Sequence, residues 1–257
     1  MKILAVDIGN SSICIGCVTD HQVDFCERMN ADRRKTELEY AVLCKTVLDL
    51  HSIPVDSLDG AVISSVVPPL TDLLAIAVKK LTGLDTLIIS PGIKTGILSL
   101  APNVGADLVV GAAAAVYEYG APAIVIDMGT ATTITAVDGK CRFLGGVIYP
   151  GVQIALQSLE TGAAQLPHIE LKAPAKTIHM DTIGSMQAGA VYGSAGAIDG
   201  LLDRMLAEME KPAAIIATGG LASMIIPHCR HQITLDEHLL LKGLDVLYHK
   251  NNAENKS

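Results

Sequence analysis

Tryptophan is absent from the 257 residues, and there are only two phenylalanines and six tyrosines. That removes the aromatic platform on which unstacked bases usually rest. Positive charge is also scarce: 19 Lys and Arg stand against 27 Asp and Glu, for a formal charge of −8. Binding to a phosphate backbone depends on clustered basic side chains, so nucleic-acid binding is an unfavoured class. The longest basic run, Arg33-Arg34-Lys35, is followed by Glu37 and Glu39 and reads as a solvated helix start. No apolar run approaches the ~18 residues of a spanning helix; Val109–Val116 is short and follows Asp107 closely. The opening Met1–Asp7 lacks the apolar segment of a signal peptide, and a cytoplasmic protein is expected. The six cysteines are scattered, at 14, 17, 26, 44, 141 and 229. Cys14 and Cys17 have CxxC spacing but lie in a strand-like run, where an odd separation sends side chains to opposite faces. Reduced structural thiols are therefore expected. What the chain has in quantity is apolar residues, 50% against 18% charged, enough to bury one large core or two modest ones.

One pattern occurs twice. Residues 2–7 form an apolar run ending in Asp7, followed by Gly9-Asn10-Ser11-Ser12 and a second run, Ile13–Val18. Residues 123–127 end in Asp127, followed by Gly129-Thr130-Ala131-Thr132-Thr133 and the run Ile134–Val137. Each second run meets a turn signal, Asp20-His21-Gln22 or Asp138-Gly139, and the latter predicts a type I′ hairpin. Third strands are expected near 22–28 and 141–148. Both halves then switch to helix and strand alternation. Helices are expected over 36–50 with Thr36 as N-cap, 70–81, 106–119, 152–164, 183–210 and 235–248; strands over 60–67, 86–90 and 213–217. The expected fold is α/β with two lobes, 1–120 and 121–249, and a polar tail over 250–257. The ligand site is expected in the cleft between the lobes.

A carboxylate at a strand end before a glycine turn suits a metal–nucleotide site. Glycine lets backbone N–H groups approach phosphate oxygens, and the carboxylate holds Mg²⁺ through its water shell. Neither a GxxxxGK[ST] loop nor a strand-linked GxGxxG is present. The glycines at 184, 189, 193, 196 and 200 line one predicted helix, which packs closely on either a same-chain neighbour or a second copy.

The motifs DIGN (7–10), GIKTG (92–96), GAD (105–107), DMGTATT (127–133), GGVIYPG (145–151), MQAG (186–189) and TGG (218–220) together resemble the type III pantothenate kinases. The resemblance spans roughly residues 2–248. These enzymes belong to the actin, Hsp70 and sugar-kinase superfamily, with two RNase-H-like lobes. The resemblance implies ATP-dependent phosphorylation of pantothenate, the first step towards coenzyme A. It implies a first phosphate loop from Asp7, Ile8, Gly9, Asn10, Ser11, Ser12, Ile13 and Cys14, with Asp7 near Mg²⁺. It makes Asp107 the general base, Asp127 the ligand of an activating monovalent cation (K⁺ or NH₄⁺), and Thr130 an ATP-phosphate contact. Gly105, Ala106, Asp107, Leu108 and Thr182 are implied for pantothenate, in a pocket completed across a homodimer.

The chain departs from the family at one point. Where GADR is usual it reads Gly105-Ala106-Asp107-Leu108, and the tyrosine expected shortly upstream is missing. An arginine would grip the pantothenate carboxylate with charge-assisted hydrogen bonds, worth ~1.5–3 kcal/mol. Lys94, Arg142 and Lys172 are candidate replacements. The other readings are a kinase for a pantothenate-like alcohol and a regulatory nucleotide-binding homologue with little or no transfer.

Overall fold

A computed structural model of the chain describes residues 1–209 and 213–252, which divide into two compact units. The first comprises residues 1–118 and 238–252. It contains β1 (Lys2–Ile8), β2 (Ser12–Thr19), β3 (Gln22–Asn30), α1 (Glu37–Leu50), β4 (Gly60–Ser65), α2 (Pro68–Thr82), β5 (Thr86–Ile88) and α3 (Ala106–Tyr119). The final helix, Leu239–Asn252, completes it. Its sheet has the order β3-β2-β1-β4-β5. β1 is antiparallel to β2 and parallel to β4.

Alternation along β1 explains its double burial. Leu4, Val6 and Ile8 pack with Tyr40, Cys44 and Leu48 of α1 and with Leu70 and Leu74 of α2. Ile3 and Ala5 are just as buried, on the face covered by the helix 239–252. That helix lies so close that a Cβ on Gly16, which is paired with Ala5, would sit 2.4 Å from Leu241. Thr36 caps α1 as expected, in a reciprocal box with Glu39. Gly83, with φ of 73°, closes α2.

The second unit, 119–237, contains β6 (Ala123–Met128), β7 (Ala131–Val137), β8 (Phe143–Pro150), α4 (Val152–Gly162), α5 (Thr182–Glu208), β9 (Ala214–Thr218), α6 (Ala222–Ile225) and β10 (Thr234–Leu235). The helix that follows β10 and returns to the first unit, Leu239–Asn252, is α7. The strand order is β8-β7-β6-β9-β10, the same sequence of hairpin strands and parallel neighbours as in the first unit. Ile124, Ile126 and Met128 form its core with Val191, Ala195, Ile198 and Leu202 of α5.

Several expectations need correction. The final helix starts at Leu239, not 235, because Thr234 and Leu235 pair with Ile216 and Ala217. It packs on the first sheet, so the second unit ends at 237 rather than 249. It also runs through Lys250 to Asn252, into the stretch expected as tail; the remaining tail residues 253–257, and the expected helix end at 210, lie outside the described residues. Asp138-Gly139 does not form a type I′ turn. Asp138 instead accepts from the N–H groups of Lys140 and Arg142, and the left-handed residue is Cys141. The first hairpin does have two left-handed residues, Asp20 and His21. No described helix is long and apolar enough to cross a membrane.

Candidate active site

Asp7 lies one residue before the end of β1, between Cys14 of β2 and Ser64 of β4. The turn after it is held by the Gly9 N–H donating to the Ser12 carbonyl at 2.9 Å. Asn10 and Ser11 are exposed, whereas the Ile8 and Ile13 side chains are buried in the core. Those two members of the expected phosphate loop have only their backbones to offer a ligand. Ser64 is fully buried beside Asp7, and its Oγ has no hydrogen-bond partner among the described residues. Sequence reading passed over Ser64 and Ser65; the signal was two hydroxyls closing an otherwise apolar strand.

Cys14 does not face Cys17, which is in the core. Its Sγ lies 2.7 Å from that of Cys26 on β3. The shared Cys14–Cys26 hydrogen bond holds Cys26 below the ordinary thiol value, while the same contact and burial push Cys14 up.

Gly105 precedes α3, and Asp107 sits in its first turn. The Asp107 carboxylate folds back over the helix start, accepting from the Leu108 N–H at 2.8 Å. A Cβ on Gly105 would lie 2.4 Å from that carboxylate oxygen, so a larger residue there would push the Asp107 carboxylate out of this position. Burial pushes the Asp107 carboxyl above its ordinary value, and the donating N–H groups only partly offset this. Gly105 and Ala106 line a cavity of ≈ 820 Å³, together with Ser65, Thr71, Thr95 and Asn103. Ser65 is the register partner of Ile8, so the cavity reaches the strand end that carries Asp7. None of its lining residues is basic.

In the second unit Asp127 occupies the equivalent place on β6, between Thr133 and Thr218. Here the loops are tightly packed. Gly151, at the start of α4, donates its N–H to the Thr130 carbonyl, and a Cβ there would lie 2.4 Å from that oxygen. Gly219 has φ of 99°, and a Cβ would lie 2.6 Å from the Met128 backbone. Asp127, Gly129, Thr130, Gly151, Thr218 and Gly219 thus gather at one end of the sheet. Thr182 opens α5 beside its N-cap Asp181, and lines a different, apolar groove of ≈ 680 Å³ with Leu156, Leu159, Met180 and Gly193. Of the basic candidates, Arg142 is paired with Asp138 at 2.5 Å in the β7–β8 turn, while Lys94 and Lys172 are exposed.

Two sheets of one strand order, each with an aspartate near the end of its first strand before a glycine turn, define the duplicated actin-like ATPase and sugar-kinase fold. A ROK family glucokinase from Streptomyces griseus, crystallised with glucose and AMPPNP, has this fold. It matches with a TM-score of 0.55 over 100% of both chains at 14% identity. Within that class the chain belongs to the type III pantothenate kinase family, whose profile matches residues 3–204. The type III pantothenate kinase of Moorella thermoacetica is 40% identical over 252 residues, covering 97% of this chain and 99% of the relative. That of Halalkalibacterium halodurans is 41% identical over 252 residues, with the same coverage.

Proposed function

We propose that this chain transfers the γ-phosphoryl group of ATP to the primary hydroxyl of pantothenate, yielding 4′-phosphopantothenate, the first step of coenzyme A biosynthesis, in the cytoplasm. The observation that carries the reading is the family match over residues 3–204. The matched placing of Asp7 and Asp127 on two sheets of identical order supports it.

In this reading the backbone of Asp7–Cys14, with the Ser11 and Ser12 hydroxyls, receives the ATP phosphates, and Thr130 is a further phosphate contact. All-oxygen donor sets at Asp7 and Asp127, carboxylate beside hydroxyl and carbonyl, fit hard cations: Mg²⁺ at Asp7, and K⁺ or NH₄⁺ at Asp127. When bound, these ions neutralise charge on the transferring group. The transition state is loose, so positioning and charge neutralisation dominate. Asp107 orients the acceptor hydroxyl and accepts its proton as the O–P bond forms. Its raised pKa brings it nearer the range in which a base works well at neutral pH. Gly105 and Ala106 line the acceptor cavity, and Leu108 stands at the position where relatives usually carry arginine. Lys94 and Lys172, both exposed, are the candidates for the carboxylate.

Thr182 contacts pantothenate from the partner subunit of a homodimer. The apolar α4–α5 groove supports this, because Gly189 and Gly193 face open space and Met180 and Ile183 are exposed. Gly189→Arg is expected to give a monomer by analytical ultracentrifugation.

The primary test is mass spectrometry of the products from ATP, Mg²⁺, K⁺ and pantothenate, with Asp107→Asn alongside. Phosphopantothenate from the wild type, much reduced in the variant, is the expected result. ATP binding without product would favour the regulatory homologue, and product only with an analogue lacking the carboxylate would favour a different alcohol.

A further inference from the structure

At the end of the first sheet away from Asp7, three side chains converge that the kinase reaction does not use. His21 stands on the β2–β3 turn, while Asp245 and His249 lie one helical turn apart on α7. Asp245 is 1% exposed, and a carboxylate so buried needs compensation. Its Oδ2 is 2.6 Å from His21 Nδ1, and its Oδ1 is 3.3 Å from His249 Nε2. That second approach lacks hydrogen-bond geometry: both atoms are buried and have no hydrogen-bond partner among the described residues. The imidazole ring centroids are 4.9 Å apart, and one donor atom from each residue lies within 4.8 Å of the others.

The geometry points to a metal site: His21, Asp245 and His249 bind one divalent transition-metal ion of the zinc class, remote from the nucleotide loops. Two imidazoles and one carboxylate are a zinc donor set, whereas Mg²⁺ takes oxygen ligands. Donors around tetrahedral zinc, with bonds of ~2.0–2.1 Å, stand ~3.3 Å apart, which is the His249–Asp245 spacing; the His21–Asp245 contact, at 2.6 Å, is a hydrogen bond that opens by roughly 0.7 Å when the ion takes the place of its proton. A cluster held by protons alone would turn the His249 N–H onto Asp245 Oδ1; here the two atoms face each other without bonding, as donors to a common third atom do. The ion ties the β2–β3 turn to α7, fastening residue 21 to residue 245 and holding the last helix on the first sheet.

The test uses the full chain, stripped with EDTA and titrated with Zn²⁺ against a chromophoric chelator, then melted with and without Zn²⁺. The wild type is expected to take up one Zn²⁺ per chain and to melt several degrees higher with it. His21→Gly suits the left-handed backbone at that position and is expected to lose both the equivalent and the shift, as is His249→Ala. Cys26→Ser is expected to keep both, which excludes the Cys14–Cys26 thiol pair as the site. Co²⁺ in place of Zn²⁺ should give visible d–d bands in the wild type that His21→Gly lacks. No stoichiometric Zn²⁺ in the wild type, or an equivalent that survives His21→Gly, would overturn the proposal. Should His249→Ala fail to fold, His21→Gly alone decides.

Discussion

The two units repeat one sheet and one aspartate position, yet their loops are built differently. After Asp7 the turn is open: a Cβ on Gly9 would meet only the Ser12 carbonyl, at 3.2 Å, and Asn10 and Ser11 face solvent. After Asp127 the turn is wedged between Gly151 and Gly219, where a Cβ would lie 2.4 or 2.6 Å from backbone. The first loop has room to adjust around a ligand, and the second is set by its packing. One topology therefore carries both an open, adjustable turn and a rigid one.

The largest effect concerns neither loop but Asp107, the proposed base. Asp107→Asn is expected to lower kcat by ~10²–10⁴-fold. It is also expected to raise the melting temperature at pH 7. Burial raises this carboxyl in the folded state, so its stabilising contribution is complete below the unfolded pKa and is lost as pH rises through the folded pKa. The ionised group thus weakens the fold at neutral pH, and a permanently neutral Asn removes that penalty. For the same reason the acid limb of kcat/KM should lie above the ~3.9 of an ordinary aspartate. A limb at or below that value would remove Asp107 from the base role.

The aspartate pair tests the division of labour. Asp127→Asn is expected to abolish activation by K⁺ or NH₄⁺ while the Mg²⁺ requirement remains. Asp7→Asn should weaken use of MgATP, each by about 10²-fold in kcat/KM. Loss of the monovalent response in Asp7→Asn instead would reverse the assignment of the two units. Packing gives the next contrast. Gly151→Ala is expected to destabilise by at least ~2 kcal/mol in urea unfolding, through backbone overlap. Gly9→Ala should cost under ~1 kcal/mol, since its one neighbour need move only a few tenths of an ångström; equal losses would erase the distinction between open and wedged turns. The smallest effect is chemical. At pH 7 iodoacetamide should label Cys26, held below the ordinary thiol value, before Cys17 and Cys44, which burial pushes up to about 12.

The repeat was legible in the sequence because strand alternation and Asp-x-Gly spacing are local signals. Every helix of three or more turns was also anticipated, α1 down to its Thr36 cap. What escaped depends on contacts distant in sequence. Nothing near Leu235 reveals that Thr234 pairs with Ile216, so the short strand β10 was merged into the last helix. Asp138-Gly139 suggested a two-residue turn, but the Asp138 side chain captured Lys140 and Arg142 and moved the left-handed position to Cys141. Around the candidate site, the aspartates and glycines were visible as motif letters. The burial of Ile8 and Ile13, the orphaned Ser64 hydroxyl and the Cys14–Cys26 contact follow from strand register, which no single segment encodes.

The return of α7 to the first sheet also bears on how the molecule is made. Residues 119–237 are, in connectivity, an insertion within the first unit. On the ribosome, the sheet that appears first must wait for Leu239–Asn252 to cover its second face, ~120 residues later, or roughly 6–24 s at ordinary elongation rates. The inserted unit has all its strands and helices by residue 237 and does not wait. Ile3, Ala5 and Gly16 are thus left uncovered during synthesis, and the half of the protein translated first is the half finished last.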